Sequence, residues 1–114
     1  MTKLIAELVG KDVETETNEA GGSQSKLVAR FDLIPAVPLF DVAVVLGEGA
    51  KKYGVGNWQL ICTNDHLSHA LAHIFAYLAG DRSDSHLSHA VCRVLFAAFT
   101  STKEEGIGND EYSD

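Results

Sequence analysis

The sequence predicts an all-α protein, a small antiparallel helical bundle whose last two helices form a histidine-lined hairpin. The word HLSHA occurs at residues 66–70 and again at 86–90, and apolar residues recur at helical spacing around both copies. The length of 114 residues suits a single domain. Because three helices give a thin core, we expect oligomerisation to complete the bundle.

Three sections are expected along the chain: a polar segment over residues 1–25, a helical domain over 26–102 and an acidic tail over 103–114. The first section holds five acids and two bases, the last holds five acids and one base, and the middle holds six of each. The net charge of −7 therefore belongs to the flanks. Residues 1–11 suit a short helix or strand, and the Gly pair within 12–26 indicates a linker or loop.

The first long helix is expected to run from about Pro38 to Tyr53. Pro35 and Pro38 suit a first helical turn, where proline is tolerated, and Asp41 lies where the helix dipole favours an acid. Gly54 is a typical stop at the C-terminal end of a helix.

The second helix is expected to begin after a cap at Asn64 or Asp65 and to end near Ala79, before Gly80. The last helix is expected over residues 86–102. The link between them is short, so the two helices should be antiparallel neighbours.

Each helix of the hairpin carries one polar stripe and one apolar stripe. We expect both apolar stripes to enter one core, which leaves the polar stripes on the same side of the hairpin, lining one cleft. Pairing across the hairpin should bring His73 near Cys92 and Arg93, and Tyr77 near His89. The polar stripes are His66, His69, His73 and Tyr77, then His86, His89 and Arg93. The apolar stripes are Leu67, Leu71, Ile74, Phe75 and Leu78, then Leu87, Val91, Val94, Leu95 and Ala98.

The histidine spacing suits a divalent metal, because imidazoles and carboxylates are ligands for such ions. His69 and His73 are four residues apart, and His86 and His89 are three apart, so each pair can chelate from one helix face. Asp81 and Asp84 in the link could add carboxylate ligands. The alternative is that the histidines are half-buried at the helix interface and hydrogen-bond to backbone or carboxylate groups. Spacing alone does not separate these two possibilities.

The run EGAKKYGVGNW combines groups that suit a phosphorylated ligand. Lys51 and Lys52 stand beside a loop whose backbone amides can contact phosphate, and Trp58 or Tyr53 could stack on a base. The alternative is an ordinary helix C-terminus, where lysine complements the dipole.

Several other classes are disfavoured. The neutral middle section offers no broad basic surface for duplex nucleic acid. The sequence shows no signal peptide and no apolar stretch that could span a membrane, and two cysteines without CxxC spacing suit a reduced cytoplasmic protein. No HExxH motif is present, Asp65–His66 reverses the His-Asp order of HD-type phosphohydrolases, and neither Ser68 nor Ser88 lies in a GxSxG elbow.

Four pieces of the chain, in order, resemble a small phage and prophage domain known as dATP/dGTP diphosphohydrolase, which is associated with MazG-like all-α nucleotide pyrophosphohydrolases. The pieces are SKLVARFDLIP, GEGAKKYGVGNW, HALAHIFAYLAGDRSD and HLSHAVCRVLFA, and the resemblance covers residues 24–100. The matching positions are Lys52, Tyr53, Asn57, Trp58, His73, Gly80, Asp81, Asp84, His86 and His89.

The resemblance implies metal-dependent hydrolysis of a deoxynucleoside or ribonucleoside triphosphate to monophosphate and pyrophosphate, by an oligomer in the cytoplasm, or in the host cytoplasm if a phage encodes it. The implied catalytic residues are Asp81, Asp84, His86 and His89. The implied substrate-binding residues are Lys51, Lys52, Tyr53, Asn57, Trp58 and Arg93. The implied ligands of magnesium, manganese or zinc are His69, His73, Asp81, His86, His89 and Glu48.

The chain departs from the MazG-like pattern, in which ExxE and ExxD on successive helices bind magnesium or manganese. Here histidines stand where carboxylates would be, which favours a softer metal or binding without hydrolysis. Two alternatives therefore stay open. One is a phage protein that captures a nucleotide or signalling nucleotide unchanged. The other is a structural helical oligomer whose histidines tune assembly with pH.

Overall fold

The computed structural model describes residues 5–9 and 12–104. They fall into two compact units, one up to Ile34 and one from Pro35 onward. The described chain is mostly helical, with a single short two-stranded sheet. The predicted all-α class with a histidine-lined hairpin is therefore confirmed.

The first unit holds the short helix α1 (Ile5–Leu8) and two antiparallel strands, β1 (Thr15–Thr17) and β2 (Ser23–Ser25). The prediction of a linker or loop over residues 12–26 is wrong for these strands. A β-branched threonine at each end of β1 favours extended backbone, and the intervening turn contains Gly21 at a φ of +92°. Residues 1–4 and 10–11 of the predicted N-terminal helix or strand lie outside the described residues.

The second unit contains three long helices: α2 (Ala36–Tyr53), α3 (Thr63–Leu78) and α4 (His86–Glu104). A short 3-10 turn, Asn57–Leu60, lies between α2 and α3. Helix α2 begins two residues before the predicted start, and α4 continues two residues beyond the predicted end. The rest of the predicted tail, residues 105–114, lies outside the described residues.

Helices α2 and α3 end as predicted, at glycines with positive φ. Gly54 has a φ of +101° and Gly80 a φ of +96°, a region that glycine adopts without steric cost. The predicted cap of α3 at Asn64 or Asp65 is wrong, because the helix begins after Cys62 without a side-chain cap. Its first backbone N–H, at Thr63, instead donates to the carboxylate of Glu104 at 3.0 Å.

Helices α3 and α4 pack with the opposite faces from those predicted. The expected apolar stripes point outward: Phe75 is 65% exposed and Leu78 is 71% exposed. The seam between α3 and α4 is instead lined by histidines and small residues, with His66, Ala70, Ala90 and Ala97 all buried. Alanine allows two helix backbones to approach closely, so the ring of a histidine on one helix can reach the other helix.

The register of the hairpin also differs from the prediction, by about one helical turn. His73 faces His86 and His89 rather than Cys92 and Arg93. The link between the helices begins with a cap on the end of α3. The backbone N–H of Asp81 donates to the carbonyl of Ala76 at 3.0 Å.

Helix α2 packs along α4 and leaves much of its own apolar surface exposed. Val42 is buried against α4, and its carbonyl lies 3.6 Å from Sγ of Cys92. Val37 and Phe40, in contrast, are 79% and 74% exposed. All three long helices therefore present large apolar side chains to the outside. Among the described residues, no helix is long and apolar enough to cross a bilayer.

Candidate functional site

The end of α3, the link that follows it and the start of α4 bring five polar side chains together. His73 comes from α3, Asp81 and Asp84 from the link, and His86 and His89 from the first turn of α4. We call these five residues the histidine cluster. All four predicted catalytic residues belong to it.

Three imidazoles form the centre of the histidine cluster. Nδ1 of His73 lies 3.0 Å from Nδ1 of His86. The ring of His73 also stacks on that of His89, with centroids 4.7 Å apart and planes 16° apart. His73, which lies three residues beyond the first HLSHA word, therefore contacts both histidines of the second word.

Each histidine of α4 has a carboxylate partner. Nε2 of His86 lies 2.5 Å from Oδ2 of Asp81, and Nε2 of His89 lies 3.4 Å from Oδ1 of Asp84. The side chains of both aspartates remain about half exposed. The hydroxyl of Ser83 donates to Oδ2 of Asp81 at 2.7 Å, which helps to fix this carboxylate.

The link is also held against the end of α3 by Arg82. Its guanidinium donates to the carbonyl of Tyr77 at 2.9 Å and lies 3.8 Å from the centroid of the Tyr77 ring. This cation–π contact and hydrogen bond fix the loop that carries the two aspartates.

The surroundings shift the pKa values of three groups in the cluster. The hydrogen bond from His86 lowers the pKa of Asp81, and the backbone N–H of Ser85 lowers the pKa of Asp84. Both are therefore carboxylates near neutral pH. Partial burial, followed by the charges of His89 and His86, lowers the pKa of His73. This histidine is therefore neutral near pH 7 and able to accept a proton.

A second polar group continues along the seam. Nε2 of His66 lies 2.9 Å from the carbonyl oxygen of Trp58, and its Nδ1 lies 3.2 Å from Nη1 of Arg93. The sequence placed His66 on the polar stripe of α3 but gave it no partner. Farther along, the hydroxyls of Thr63 and Thr100 are 2.7 Å apart. No motif marked these two threonines.

The predicted substrate-binding residues are spread over two places. Lys51, Lys52 and Tyr53 are exposed at the end of α2, and Nζ of Lys52 lies 5.1 Å from the Tyr53 ring. Asn57 and Trp58 are half-buried in the 3-10 turn. Among the described residues, no hydrogen bond or ion pair joins either lysine to the histidine cluster.

Trp58 has a packing role that the sequence did not predict. Its indole stacks on Phe96, with ring centroids 4.5 Å apart, and meets the edge of Phe99 at 5.2 Å. One side of the predicted base-stacking residue is thus occupied by α4.

Of the predicted metal ligands, His69 and Glu48 are exposed, and neither hydrogen-bonds to the histidine cluster within the described part of the chain. His73, Asp81, His86 and His89 lie together, but their nitrogens and oxygens bond to one another. In residues 5–9 and 12–104, no group of three or more His, Cys, Asp or Glu side chains is arranged to hold one ion.

A cavity of about 220 Å³ lies at the other end of the hairpin, near the start of α3 and the end of α4. It is separate from the histidine cluster. Its walls are formed by Gln59, Leu60, Ile61, Cys62, Thr100, Lys103 and Glu104.

Comparison with known families matched residues 18–110 to the family described as dATP/dGTP diphosphohydrolase, N-terminal. Comparisons with curated proteins and with solved structures found no match. The family match includes the whole of the second unit as far as it is described, and so the complete histidine cluster.

Proposed function

Because the chain belongs to the dATP/dGTP diphosphohydrolase N-terminal family, we propose that it hydrolyses a purine deoxynucleoside triphosphate to monophosphate and pyrophosphate. The observation that carries this proposal is the series of contacts from Asp81 to His86 to His73. It provides a neutral histidine backed by a second histidine and a carboxylate, an arrangement suited to a general base.

Hydrogen-bonding partners assign the protons of this series. Asp81, as a carboxylate, only accepts, so Nε2 of His86 carries a hydrogen. With the hydrogen of His86 on Nε2, its Nδ1 offers a lone pair, and the contact between the two Nδ1 atoms then places the hydrogen of His73 on Nδ1. The second nitrogen of His73, Nε2, then holds a lone pair and has no hydrogen-bond partner among the described residues. This atom is the proposed base.

In the proposed reaction, the water oxygen forms a bond to the α-phosphorus, and the bond from that phosphorus to the bridging oxygen breaks. Pyrophosphate leaves with the electron pair. The water proton passes to Nε2 of His73, and Nδ1 of His73 can pass its own proton to His86. Asp81 stabilises the positive charge that develops on His86.

Substrate contacts are assigned to cationic groups on α4 and at the end of α2. Arg93 lies one turn of α4 beyond His89, and its fork of N–H donors suits phosphate oxygens. Lys51 and Lys52 remain the predicted contacts for the end of the triphosphate, and Tyr53, Asn57 and Trp58 those for the nucleoside. A nucleotide titration of Lys51→Ala and Tyr53→Ala tests these roles.

A divalent cation remains a prediction from the sequence, with magnesium, manganese or zinc as the candidates. No step above runs through such an ion. Elemental analysis of the purified protein, with thermal shifts on adding each cation, tests whether the protein itself binds one.

We further propose that copies of the chain assemble. The exposed apolar faces of α2, α3 and α4 support this: Phe40 is 74% exposed, Leu78 71% and Phe75 65%. Large exposed apolar surface is typical of protein interfaces. Its burial would supply the core that the separate chain lacks.

The proposal is tested by incubating the protein with each deoxynucleoside and ribonucleoside triphosphate and separating the products by anion exchange. Monophosphate and pyrophosphate in equal amounts, with dATP or dGTP preferred, are expected. Release of inorganic phosphate alone, or intact nucleotide under all conditions, would refute hydrolysis between the α- and β-phosphates.

A second candidate is nucleotide binding without turnover. It is favoured by the pairing of Asp81 with His86 and of Asp84 with His89, which occupies both carboxylates of the cluster. A strong thermal shift with recovery of intact nucleotide would support this candidate.

A further inference from the structure

His66 is the one large side chain that is fully buried among the described residues, with 0% exposure. The proposed reaction does not use it. A buried imidazole loses the hydrogen bonds of water, so both ring nitrogens need partners inside the protein. His66 has both, in Trp58 and Arg93.

These two partners specify the orientation of the ring. The Trp58 carbonyl only accepts, so Nε2 of His66 carries the hydrogen and donates it across 2.9 Å. A guanidinium only donates, so Nδ1 of His66 carries the lone pair and accepts from Arg93 across 3.2 Å. The other tautomer would place a hydrogen against the guanidinium and a lone pair against the carbonyl oxygen, so the ring offers Arg93 an acceptor at one fixed point.

The carbonyl that anchors the ring is itself held in place. Trp58 lies in the 3-10 turn Asn57–Leu60, and its indole stacks on Phe96 of α4. The ring of His66 lies 5.3 Å from that of Phe96. The acceptor offered to Arg93 is thus fixed by packing to both α3 and α4.

The Arg93 guanidinium has N–H donors that its bond to His66 does not use. It is half-buried, and the ion pairs of the described residues join Arg30 to Asp32, His86 to Asp81 and His89 to Asp84, leaving Arg93 with no carboxylate. Its bond to His66 uses one N–H of the five on a guanidinium. The positive charge of Arg93 also acts on the histidine cluster, because it contributes to lowering the pKa of His73.

We propose that His66 is a positioning residue, which fixes the Arg93 guanidinium in the α3–α4 seam so that its remaining donors bind the phosphates of the substrate. This inference rests on the proposed function for the identity of the anion. An arginine without such a support would spread over several rotamers, and ordering it on binding would weaken affinity.

Two substitutions of His66 separate its two hydrogen bonds. The side-chain oxygen of asparagine can stand near the position of Nδ1, so His66→Asn keeps an acceptor for Arg93. The side-chain amide nitrogen of glutamine can stand near the position of Nε2, so His66→Gln keeps the donor to Trp58 and removes the acceptor. Thr100→Val is a matched control, since Thr100 is buried in the same seam and bonds to Thr63, not to Arg93.

The experiment measures the Kd of inorganic pyrophosphate by calorimetry for the intact chain, together with the Tm of each variant and KM and kcat for dGTP. Arg93→Gln and His66→Gln should each raise Kd and KM by at least about tenfold, the loss expected for a hydrogen bond to a charged group. His66→Asn should stay within about threefold of the parent protein. Thr100→Val should lower Tm and leave Kd unchanged.

Parent-like Kd values in both His66 variants would overturn the inference, and so would equal weakening in both. If Arg93→Gln and the parent bind pyrophosphate equally, or neither binds it, the inference also fails. Release of pyrophosphate from dGTP by the parent protein would then show that the proposed function stands without it. No release would count against the proposed function separately.

Discussion

Nδ1 of His73 on α3 lies 3.0 Å from Nδ1 of His86 on α4, and the far nitrogen of His86 contacts the Asp81 carboxylate. This contact links a histidine of α3 to the first histidine of the second HLSHA word. The carboxylate fixes which nitrogen of His86 carries hydrogen, and this determines which histidine of the pair donates the hydrogen bond. His73 is left as the basic end of the series.

Removing the carboxylate should weaken this base without removing it. In Asp81→Asn the fixed proton position on His86 is lost, so we expect kcat for dGTP to fall by about tenfold or more, with little change in KM. Steady-state kinetics on the folded variant measure this. Ser68→Ala, on an exposed part of α3, is the control and should behave like the parent. An unchanged kcat in Asp81→Asn would remove Asp81 from the mechanism.

The acid side of the pH profile should report His73. Because burial and the neighbouring imidazoles lower its pKa, the base form persists below the ordinary histidine value of about 6.5. The profile of kcat/KM should therefore bend downward at a pH below that value. An inflection at or above it would contradict the assignment.

The same shift predicts a stability change. In the pH window just below about 6.5 the unfolded chain binds a proton at residue 73 that the folded chain does not. The free energy of unfolding should consequently fall as the pH drops through this window. Urea titrations at one pH above about 6.5 and one below it measure the fall in the free energy of unfolding. The fall should be smaller in His73→Gln than in the parent protein. An equal fall would exclude this residue as the cause.

Trp58→Ala should destabilise the second unit through lost packing. The indole stacks on Phe96 and meets Phe99, so the loss should be about 3 kcal/mol, near the lower end for truncating a buried tryptophan. Denaturant midpoints measure it, and Trp58→Phe should recover part of the loss. A parent-like midpoint in Trp58→Ala would show that the stack contributes little.

The exposed apolar faces predict self-association. Light scattering should give a mass that is a multiple of the 12.3 kDa chain. Phe75→Glu places a charge on the outer face of α3, where Phe75 is 65% exposed, and should shift the mass toward one chain. Ser68→Glu is the charge-matched control. A parent protein that runs as one chain would contradict assembly.

The sequence predicted the helices well because their ends are set locally. Gly54 and Gly80 adopt positive φ where the pattern placed the stops, and α4 begins at His86 as expected. The antiparallel hairpin followed from the short link. These features depend on residues within a few positions of one another.

The faces of the helices could not be predicted in the same way. Leu71 and Phe75 are apolar, and so they are expected in the core of a single chain. The buried residues of α3 are instead His66 and Ala70. A periodic pattern shows that two stripes exist and does not show which stripe meets which neighbour. An apolar stripe that suits another chain looks the same as one that suits the core.

Five of the residues that the sequence singled out lie together, but their hydrogen-bond partners differ from those expected. His73, His86 and His89 do come together with Asp81 and Asp84. The predicted pairing of His73 with Arg93 did not include the cap of the link on the end of α3, which depends on backbone contacts. The predicted partner of His73 among the metal ligands, His69, is exposed instead.

The most direct test of the proposed base is the rate of pyrophosphate release from dGTP by His73→Gln, compared with the parent protein at pH 7. We expect kcat to fall by about 10²–10⁴-fold, the usual contribution of a general base, with folding and pyrophosphate affinity retained. A His73→Gln protein that releases pyrophosphate at the parent rate would contradict the account.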